Sequence, residues 1–237
     1  MFLFNEKNCA DICLKNTNKY VFKAVNDLIS DFERVSTFGV KPKIVKNVTQ
    51  NCIIIEENTR TSAEPVADES YSITTENGNI VIRADGYLGT MWGIYTLSEK
   101  FLGVDPCYLF NDLAIVKKNA VELSEVDIAD KPDGFGFRGV FINDEDLLQG
   151  WKDGGGARLV GGGYYYVTVA KTVIEKVVET VLRLKLNLVI PATFIDLDNP
   201  PEKDLADAVA ERGIYLSQHH CEPLGVSSFT FENYCKK

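Results

Sequence analysis

Polar and charged side chains follow an apolar segment in the second half of the chain. The segment 139–142 runs directly into Asn143, Asp144, Glu145 and Asp146. Neighbouring carboxylates repel one another and are costly to dehydrate, so this cluster is either a solvated strand end or a group with a chemical task. That task would be hydrogen bonding to sugar hydroxyls or acid/base chemistry. Because side chains alternate between the two faces of a strand, only one or two of the acids can face a common pocket.

Both histidines of the chain, His219 and His220, lie together in the segment "SQHHCEPLG", with Glu222 close by. Histidine, cysteine and glutamate are metal ligands, but adjacent strand residues diverge and metal sites draw on several segments. The sequence therefore predicts no metal site and no cofactor. It favours an imidazole that hydrogen-bonds a substrate oxygen or carboxylate, with a structural histidine pair as the alternative.

Aromatic residues and glycines fill the segment "WKDGGGARLVGGGYYYV", which begins at Trp151. No phosphate-binding glycine motif is present, so we interpret this segment as a connecting loop. Trp151 and the three tyrosines at 164–166 either stack on sugar rings or pack against the protein. Arg138 stands at the start of the preceding apolar segment, where it either reaches a sugar or forms a buried ion pair.

Alternating strands and helices are predicted to position these side chains. The segments "FRGVFIN", "LNLVIPA" and "IYLSQH" are apolar, and amphipathic helices are predicted at 171–185 and 201–213. This pattern is typical of parallel strands covered by helices, and such folds keep their sites at the carboxyl ends of the strands. Residues 137–237 have room for about three β/α units, whereas a complete barrel needs roughly 200 residues. We therefore expect a partial, truncated (β/α) barrel.

The first half of the chain has a different pattern. A helix is predicted within 18–37, a strand in "NCIIIEEN", and a β-hairpin through Asn77-Gly78. A further helix runs from Gly86 to Gly103. Gly89 and Gly93 lie one turn apart on it, which indicates close approach to a sheet. We predict an α+β domain over 1–125 and a linker over 126–136, because the latter is polar and contains Pro132.

Composition narrows the possible partners and the location. The formal net charge is −9 and no long basic run occurs, which argues against nucleic acid and against an anionic membrane surface. No apolar run approaches the ~20 residues that span a bilayer. The N-terminal segment has no signal-peptide pattern and the cysteines are scattered, so we expect a cytoplasmic protein with reduced thiols.

Several of these segments resemble one known family. The order and spacing of "FRGVFINDED", "VLRLKLNLVIPATF" and "HCEPLG" are similar to those of glycoside hydrolase family 115, the xylan α-1,2-glucuronidases. Upstream, "LGTMWGIYTLSEKFLGVDP" resembles the N-terminal domain of that family. The resemblance implies an α+β domain shared with hexosaminidase-type glycosidases, followed by a (β/α)8 barrel.

The resemblance also implies a reaction and a set of contacts. The reaction is inverting hydrolysis of the α-1,2 bond between (4-O-methyl)glucuronic acid and xylose, on oligosaccharides from glucuronoxylan. The residues expected to bind substrate are Arg138, Asn143, Asp144, Glu145, Trp151, His220 and Glu222. The main catalytic acid and base are expected beyond Lys237. Two alternatives stay open: a non-catalytic carbohydrate-binding or interaction module that forms homo-oligomers, and a hexosaminidase-type glycosidase.

Overall fold

The computed structural model describes residues 1–58, 69–131, 135–143, 148–151, 154–158, 166–193, 195–219 and 231–236. The chain divides into two compact units, unit 1 (residues 1–136) and unit 2 (residues 137–237). Each unit has its own β-sheet and its own helices.

Unit 1 is built on a six-stranded mixed sheet with the order β3-β2-β4-β6-β5-β8. Its strands and those of a separate ribbon are β1 (Phe2–Phe4), β2 (Asp11–Lys15), β3 (Ile44–Val45), β4 (Cys52–Glu57), β5 (Tyr71–Glu76), β6 (Asn79–Ala84), β7 (Val121–Glu122) and β8 (Asp127–Asp130). Strands β3, β2, β4 and β6 run parallel, whereas β5 is antiparallel to both β6 and β8. β1 and β7 form the antiparallel ribbon.

The turn between β5 and β6 confirms the predicted hairpin. Asn77 and Gly78 both have positive φ angles, 49° and 76°. A two-residue turn with positive φ at both positions matches the twist of the flanking strands, and Asn-Gly is the pair best suited to it.

Two helices pack together in unit 1, and one of them lies on the sheet. α1 (Val21–Val35) packs on α2 (Tyr87–Leu97), and α2 packs on strands β4, β5 and β6. α2 continues into a π-helical turn, Ser98–Leu102. A Cβ atom added to Gly93 would lie 2.6 Å from Ile82 Cγ2, and one added to Gly89 would lie 2.7 Å from the carbonyl oxygen of Ser70. The two glycines therefore permit the close approach that their spacing predicts.

Part of the predicted linker is a strand instead. β8 occupies Asp127–Asp130, inside the range 126–136, and Ile128 pairs with Ile73 of β5. β8 is an edge strand, and such a strand needs apolar residues on one face only. Val126, which precedes β8, is buried and lies on the same face as Ile128. The acids Glu125, Asp127 and Asp130 around these two residues obscured the pattern.

Unit 2 contains a three-stranded parallel sheet with the order β11-β10-β9. Its elements are β9 (Gly139–Phe141), a 3-10 turn (Gln149–Trp151), α3 (Lys171–Arg183), β10 (Leu188–Ile190), α4 (Pro200–Ala210), β11 (Tyr215–Leu216) and α5 (Phe231–Cys235). α3 connects β9 to β10, and α4 connects β10 to β11. The predicted fold class, an α+β layer followed by about three β/α units, is confirmed.

A buried ion network lies at the amino-terminal edge of this sheet, where α3 ends. Arg183 donates to Glu179 Oε1 at 2.9 Å, and Arg212 Nη2 lies 3.9 Å from Glu179 Oε2. All three side chains are almost fully buried. Charges at such depth are tolerated because they are paired. The network therefore ties the end of α3 to the end of α4.

Among the helices that the structure describes, none combines the length and the apolar character required to cross a bilayer.

Candidate functional site

The ends of the three parallel strands of unit 2 meet at one edge. We define the carboxyl edge as residues 142–143, 191–193 and 217–219, together with the connections from β9 to α3 and from β10 to α4. Ile142 N donates to the carbonyl oxygen of Ile190 at 2.8 Å, and Ser217 N donates to that of Val189 at 3.1 Å. The polar residues after each strand are thus brought to the same edge, as the strand–helix pattern predicts.

Asn143 links the first two strand ends. Its Oδ1 atom accepts a hydrogen bond from Thr193 Oγ1 at 3.3 Å. Thr193 is buried, whereas Asn143 is half-buried. The contact fixes an amide at the mouth of β9, where the sequence predicts a sugar contact. Asp144 and Glu145, which follow it, lie outside the described residues.

His219 is packed on the end of β9. Its imidazole stacks on the ring of Phe141, with the ring centroids 4.0 Å apart and an interplanar angle of 10°. Because β10 lies between β9 and β11, this contact spans the middle strand. The stacking gives His219 a structural role. His220 and Glu222 fall outside the described residues, so their predicted roles stay predictions.

Trp151 lies in the connection between β9 and α3. Its backbone N–H donates to the carbonyl oxygen of Leu148 at 2.9 Å, and Leu148 is buried. The Trp151 side chain itself is 43% exposed. A tryptophan ring with this exposure is partly accessible to solvent.

Arg138 lies at the opposite end of β9. Its backbone N–H donates to Asn187 Oδ1 at 2.8 Å, and its Nε atom lies 3.4 Å from the carbonyl oxygen of Lys185. Lys185 belongs to the turn that precedes β10. These contacts place the Arg138 backbone at the amino-terminal edge, not beside Asn143. A substrate contact by Arg138 stays a prediction.

The structure shows a buried polar cluster that the sequence pattern does not predict. Arg158 Nη1 lies 3.8 Å from Glu202 Oε1, and both side chains are at most 1% exposed. Asn199 Nδ2 donates to Glu202 Oε2 at 2.6 Å and to the carbonyl oxygen of Ala157 at 2.9 Å. The cluster joins the β9–α3 connection to the first turn of α4. The available signal was Asn-Pro-Pro-Glu at 199–202, since a capping residue followed three positions later by glutamate marks a helix start.

Unit 1 carries a cleft of about 550 Å³, lined in part by Arg83, Asp85 and Asp130. Arg83 donates to Glu56 Oε2 at 2.8 Å and to Glu76 Oε2 at 2.9 Å. The guanidinium is thus already neutralised by two carboxylates, and a uronate carboxylate would gain little from it.

Within the described part of the chain, no group of three or more histidine, cysteine, aspartate or glutamate residues is arranged to hold a metal ion.

Two solved structures with a similar fold are a chitobiase and an exo-β-N-acetylglucosaminidase. The chitobiase FjGH20 of Flavobacterium johnsoniae matches with a TM-score of 0.58 at 17% identity, over 91% of this chain and 31% of the other. The GH20 exo-β-N-acetylglucosaminidase of Vibrio harveyi, in complex with N-acetylglucosamine, matches with a TM-score of 0.53 at 16% identity, over 91% of this chain and 33% of the other. At these identities the likeness defines the fold class alone.

The family comparison is more specific. Residues 130–236 match the model of glycosyl hydrolase family 115, a range that includes β9, β10 and β11. The 4-O-methyl-α-glucuronidase BtGH115A, described as having specificity for decorated arabinogalactans, matches with a TM-score of 0.69 at 24% identity, over 90% of this chain and 29% of that one. The resemblance to family 115 that the motifs indicate is confirmed by the family match over residues 130–236 and by the likeness to BtGH115A.

The chain spans a third or less of the length of these three structures. No curated protein matches the chain.

Proposed function

We propose that the carboxyl edge of unit 2 binds the (4-O-methyl)glucuronic acid side chain of a polysaccharide, as part of an inverting α-1,2-glucuronidase. The observation that supports this proposal is the family 115 match over residues 130–236. The name of BtGH115A supports 4-O-methylglucuronate as the sugar. It also names decorated arabinogalactans, so the polysaccharide backbone, xylan in our proposal, is a separate question for experiment.

The proposed contacts follow the chemistry of each side chain. The Asn143 amide, held by Thr193, donates to or accepts from a sugar hydroxyl. Asp144 and Glu145 accept from neighbouring hydroxyls, and the His220 imidazole hydrogen-bonds a ring substituent or the carboxylate.

The remaining contacts complete the pocket. Trp151 stacks on the apolar face of a sugar ring, which suits its exposure. Arg138 and Glu222 complete the set that we assign to substrate binding.

The proposed chemistry requires two further carboxyl groups. In inverting hydrolysis an acid protonates the leaving oxygen while a carboxylate activates water on the opposite face of the sugar. The two groups stand roughly 6.5–9.5 Å apart so that water fits between them. We propose that this acid and base lie outside these 237 residues, and that the chain by itself binds the sugar without turning it over.

The first test measures binding and turnover with one ligand. Xylotriose that carries a single 4-O-methylglucuronosyl group is titrated by calorimetry, and release of 4-O-methylglucuronic acid is assayed in parallel. We expect binding without release, and Asn143→Ala should weaken binding roughly tenfold because a hydrogen bond to a ligand is lost. Unsubstituted xylotriose is the matched control ligand and should bind more weakly.

Two outcomes would contradict the proposal. Equal affinity for the substituted and unsubstituted trioses would remove glucuronate as the recognised group. Release of the acid that Glu145→Gln abolishes would mean that the chain contains a complete catalytic site, against the proposed location of the acid and base.

A further inference from the structure

The connection between β9 and α3 contains a short two-stranded antiparallel segment, which we call the stem. We define the stem as residues 156–158 and 166–168. Arg158 N donates to the carbonyl oxygen of Tyr166, and Thr168 N donates to that of Gly156, both at 2.9 Å. Gly156 N also donates to Thr168 Oγ1 at 3.1 Å. Since the stem lies between the end of β9 and the start of α3, it belongs to the carboxyl edge.

The stem is fixed to the start of α4. The Arg158–Glu202 ion pair is buried, and Asn199 hydrogen-bonds both Glu202 and the stem residue Ala157. Gly156 packs so closely on Pro201 that a Cβ atom there would overlap its ring. Three kinds of contact, namely charge, hydrogen bond and van der Waals packing, therefore hold one end of the stem in place.

The stem presents an exposed aromatic residue. Tyr166 is 60% exposed although its backbone is hydrogen-bonded to Arg158. Its ring is therefore not part of the core, while its backbone position is fixed. An aromatic side chain held in this way loses little conformational entropy when a ligand covers it.

The location of the Arg158–Glu202 ion pair indicates that it orients the stem and does not merely stabilise the fold. A buried salt bridge contributes little net stability compared with apolar residues of the same size, because both charges lose their hydration. The Glu179–Arg183 pair lies within α3 and, with Arg212, stands at the amino-terminal edge, away from the strand ends that bear the candidate site. The Arg158–Glu202 pair instead joins two connections at the carboxyl edge, where precise geometry serves binding.

We propose that Tyr166 is a sugar-stacking residue of the carboxyl edge, and that Arg158 and Glu202 are positioning residues that hold the stem on which it stands. The identity of the ligand rests on the proposed function. The holding of the stem by the Arg158–Glu202 pair, which we call the clamp, does not rest on it, so the two parts are tested separately.

The stacking role is tested by affinity for the 4-O-methylglucuronosyl xylotriose. Tyr166→Ala should weaken binding at least about fivefold, as truncation of an aromatic contact in an interface does. Tyr166→Phe keeps the ring and should retain the affinity within about twofold. Phe22→Ala, which removes a comparably exposed ring from α1 in unit 1, is the matched control and should change nothing. An unchanged affinity for Tyr166→Ala would overturn the stacking role.

The clamp is tested first without ligand. Glu202→Gln keeps the shape of the side chain and removes its charge, so the stem amides of Arg158 and Thr168 should exchange hydrogen faster. Glu211→Gln, which removes an exposed ion pair with Lys171, should leave these amides unchanged. Unchanged exchange in Glu202→Gln would overturn the clamp. If Glu202→Gln does not fold, Arg158→Lys replaces it, because lysine keeps the charge and loses the planar donors.

The two roles are joined by a double-mutant cycle. If the clamp acts through Tyr166, Glu202→Gln should weaken binding, and Tyr166→Ala combined with Glu202→Gln should bind no more weakly than Tyr166→Ala alone. Additive losses would mean that Glu202 acts through another group and would overturn its positioning role. Absence of binding by the unchanged chain would contradict the proposed function and the ligand of Tyr166, while the exchange result would still decide the clamp.

Discussion

Two glutamates in the sheet of unit 1 have pKa values shifted in opposite directions. Burial raises the pKa of Glu57, although its Oε2 accepts a hydrogen bond from Asn18 N at 2.7 Å. Hydrogen bonds from Arg83 and Thr74 lower the pKa of Glu76 to about 2. The difference arises because Glu57 is shielded from water and Glu76 faces a guanidinium.

Glu57 should make unit 1 less stable as the pH rises. A carboxyl whose folded-state pKa is raised holds its proton more tightly when folded, so its contribution is present below the unfolded pKa and is lost above it. Glu57→Gln keeps an oxygen that accepts from Asn18 and cannot ionise. We expect this variant to be more stable than the parent at pH 7 and to lose that advantage near pH 4, as measured by urea unfolding. A larger advantage at pH 4 than at pH 7 would contradict the assignment.

Glu76 should have the opposite effect. Its lowered pKa means that its contribution is present above the unfolded pKa of about 4.3 and disappears as the pH falls towards 2. Glu76→Gln should therefore destabilise unit 1 at pH 7 and have little effect near pH 2. Thr74→Val separates the effects of Thr74 and Arg83 on the pKa of Glu76, because it removes the hydroxyl donor and leaves Arg83 in place. Equal effects of Glu76→Gln at both pH values would exclude the charge as the cause.

At the level of single residues, the sequence predicted where a residue lies along its strand better than which residue it contacts. Asn143 was placed at a strand mouth because the apolar segment before it ends there, and the structure agrees. The Arg158–Glu202 pair was not predicted, since its members are 44 positions apart and each stands in a segment whose local pattern has another explanation. Partners of this kind are set by tertiary packing, which a single sequence does not display.

At the level of elements, α2 depends on its two glycines. A methyl group at either position would enter space held by the sheet, but the obstacles differ. At Gly93 it is a side-chain methyl, Ile82 Cγ2, which moves only if the buried Ile82 side chain repacks. At Gly89 it is the Ser70 backbone oxygen, which cannot adjust without moving β5.

Alanine substitutions should separate these two cases. Gly93→Ala should destabilise unit 1 by about 1–2 kcal/mol, since overpacking of ~1–3 kcal/mol is partly offset by a gain in helix propensity of up to ~1 kcal/mol. Gly89→Ala should cost more than Gly93→Ala. Gly150→Ala, where a Cβ atom meets nothing within 4 Å, should be neutral. Thermal unfolding measures all three, and a stabilised Gly89→Ala would show that the helix does not lie this close to the sheet.

The π-helical turn after α2 is held by a buried acid. Ser98 Oγ donates to Asp31 Oδ2 at 2.6 Å, and Arg34 Nη1 donates to Asp31 Oδ1 at 3.1 Å. Asp31 is fully buried. Loss of the serine donor leaves a desolvated carboxylate oxygen with fewer partners, which is costly.

Ser98→Ala should therefore destabilise unit 1 by roughly 1–3 kcal/mol. Ser30→Ala is the matched control, because Ser30 bonds only the exposed carbonyl oxygen of Asn26 within α1 among the contacts that the structure describes. Chemical denaturation should show a loss for the first variant and almost none for the second. A comparable loss of unfolding free energy in both variants would mean that the Ser98–Asp31 hydrogen bond does not contribute to stability.

At the level of the whole molecule, the periodic parts of the sequence predicted the fold class. The hairpin, α1, α2 and the β/α repeat follow from hydrophobic period and turn residues, which act locally. β8 and the short strands β1, β3 and β7 did not stand out. They are two to four residues long and are fixed by pairing with distant partners rather than by their own pattern.

The division into two compact units predicts unfolding in two steps. Each unit contains its own sheet and buried helices, so each should lose its structure separately. Gly139→Ala places a methyl group against the Leu188 carbonyl and should lower one calorimetric transition, while Gly93→Ala lowers the other. A single transition that both variants shift equally would show that the units unfold together.

The ribbon of β1 and β7 fixes the order in which unit 1 can be completed during synthesis. Phe2 pairs with Glu122, and β8, the outermost strand next to β5, follows at Asp127–Asp130. At ribosomal rates of roughly 5–20 residues per second, the first strand waits on the order of ten seconds for its partner to be made. The Asn77-Gly78 hairpin forms in microseconds once translated. The nascent chain therefore holds a local β5–β6 template before β7 is available to β1, and a chaperone that acts on unit 1 would meet β1 paired only with the residues that directly follow it.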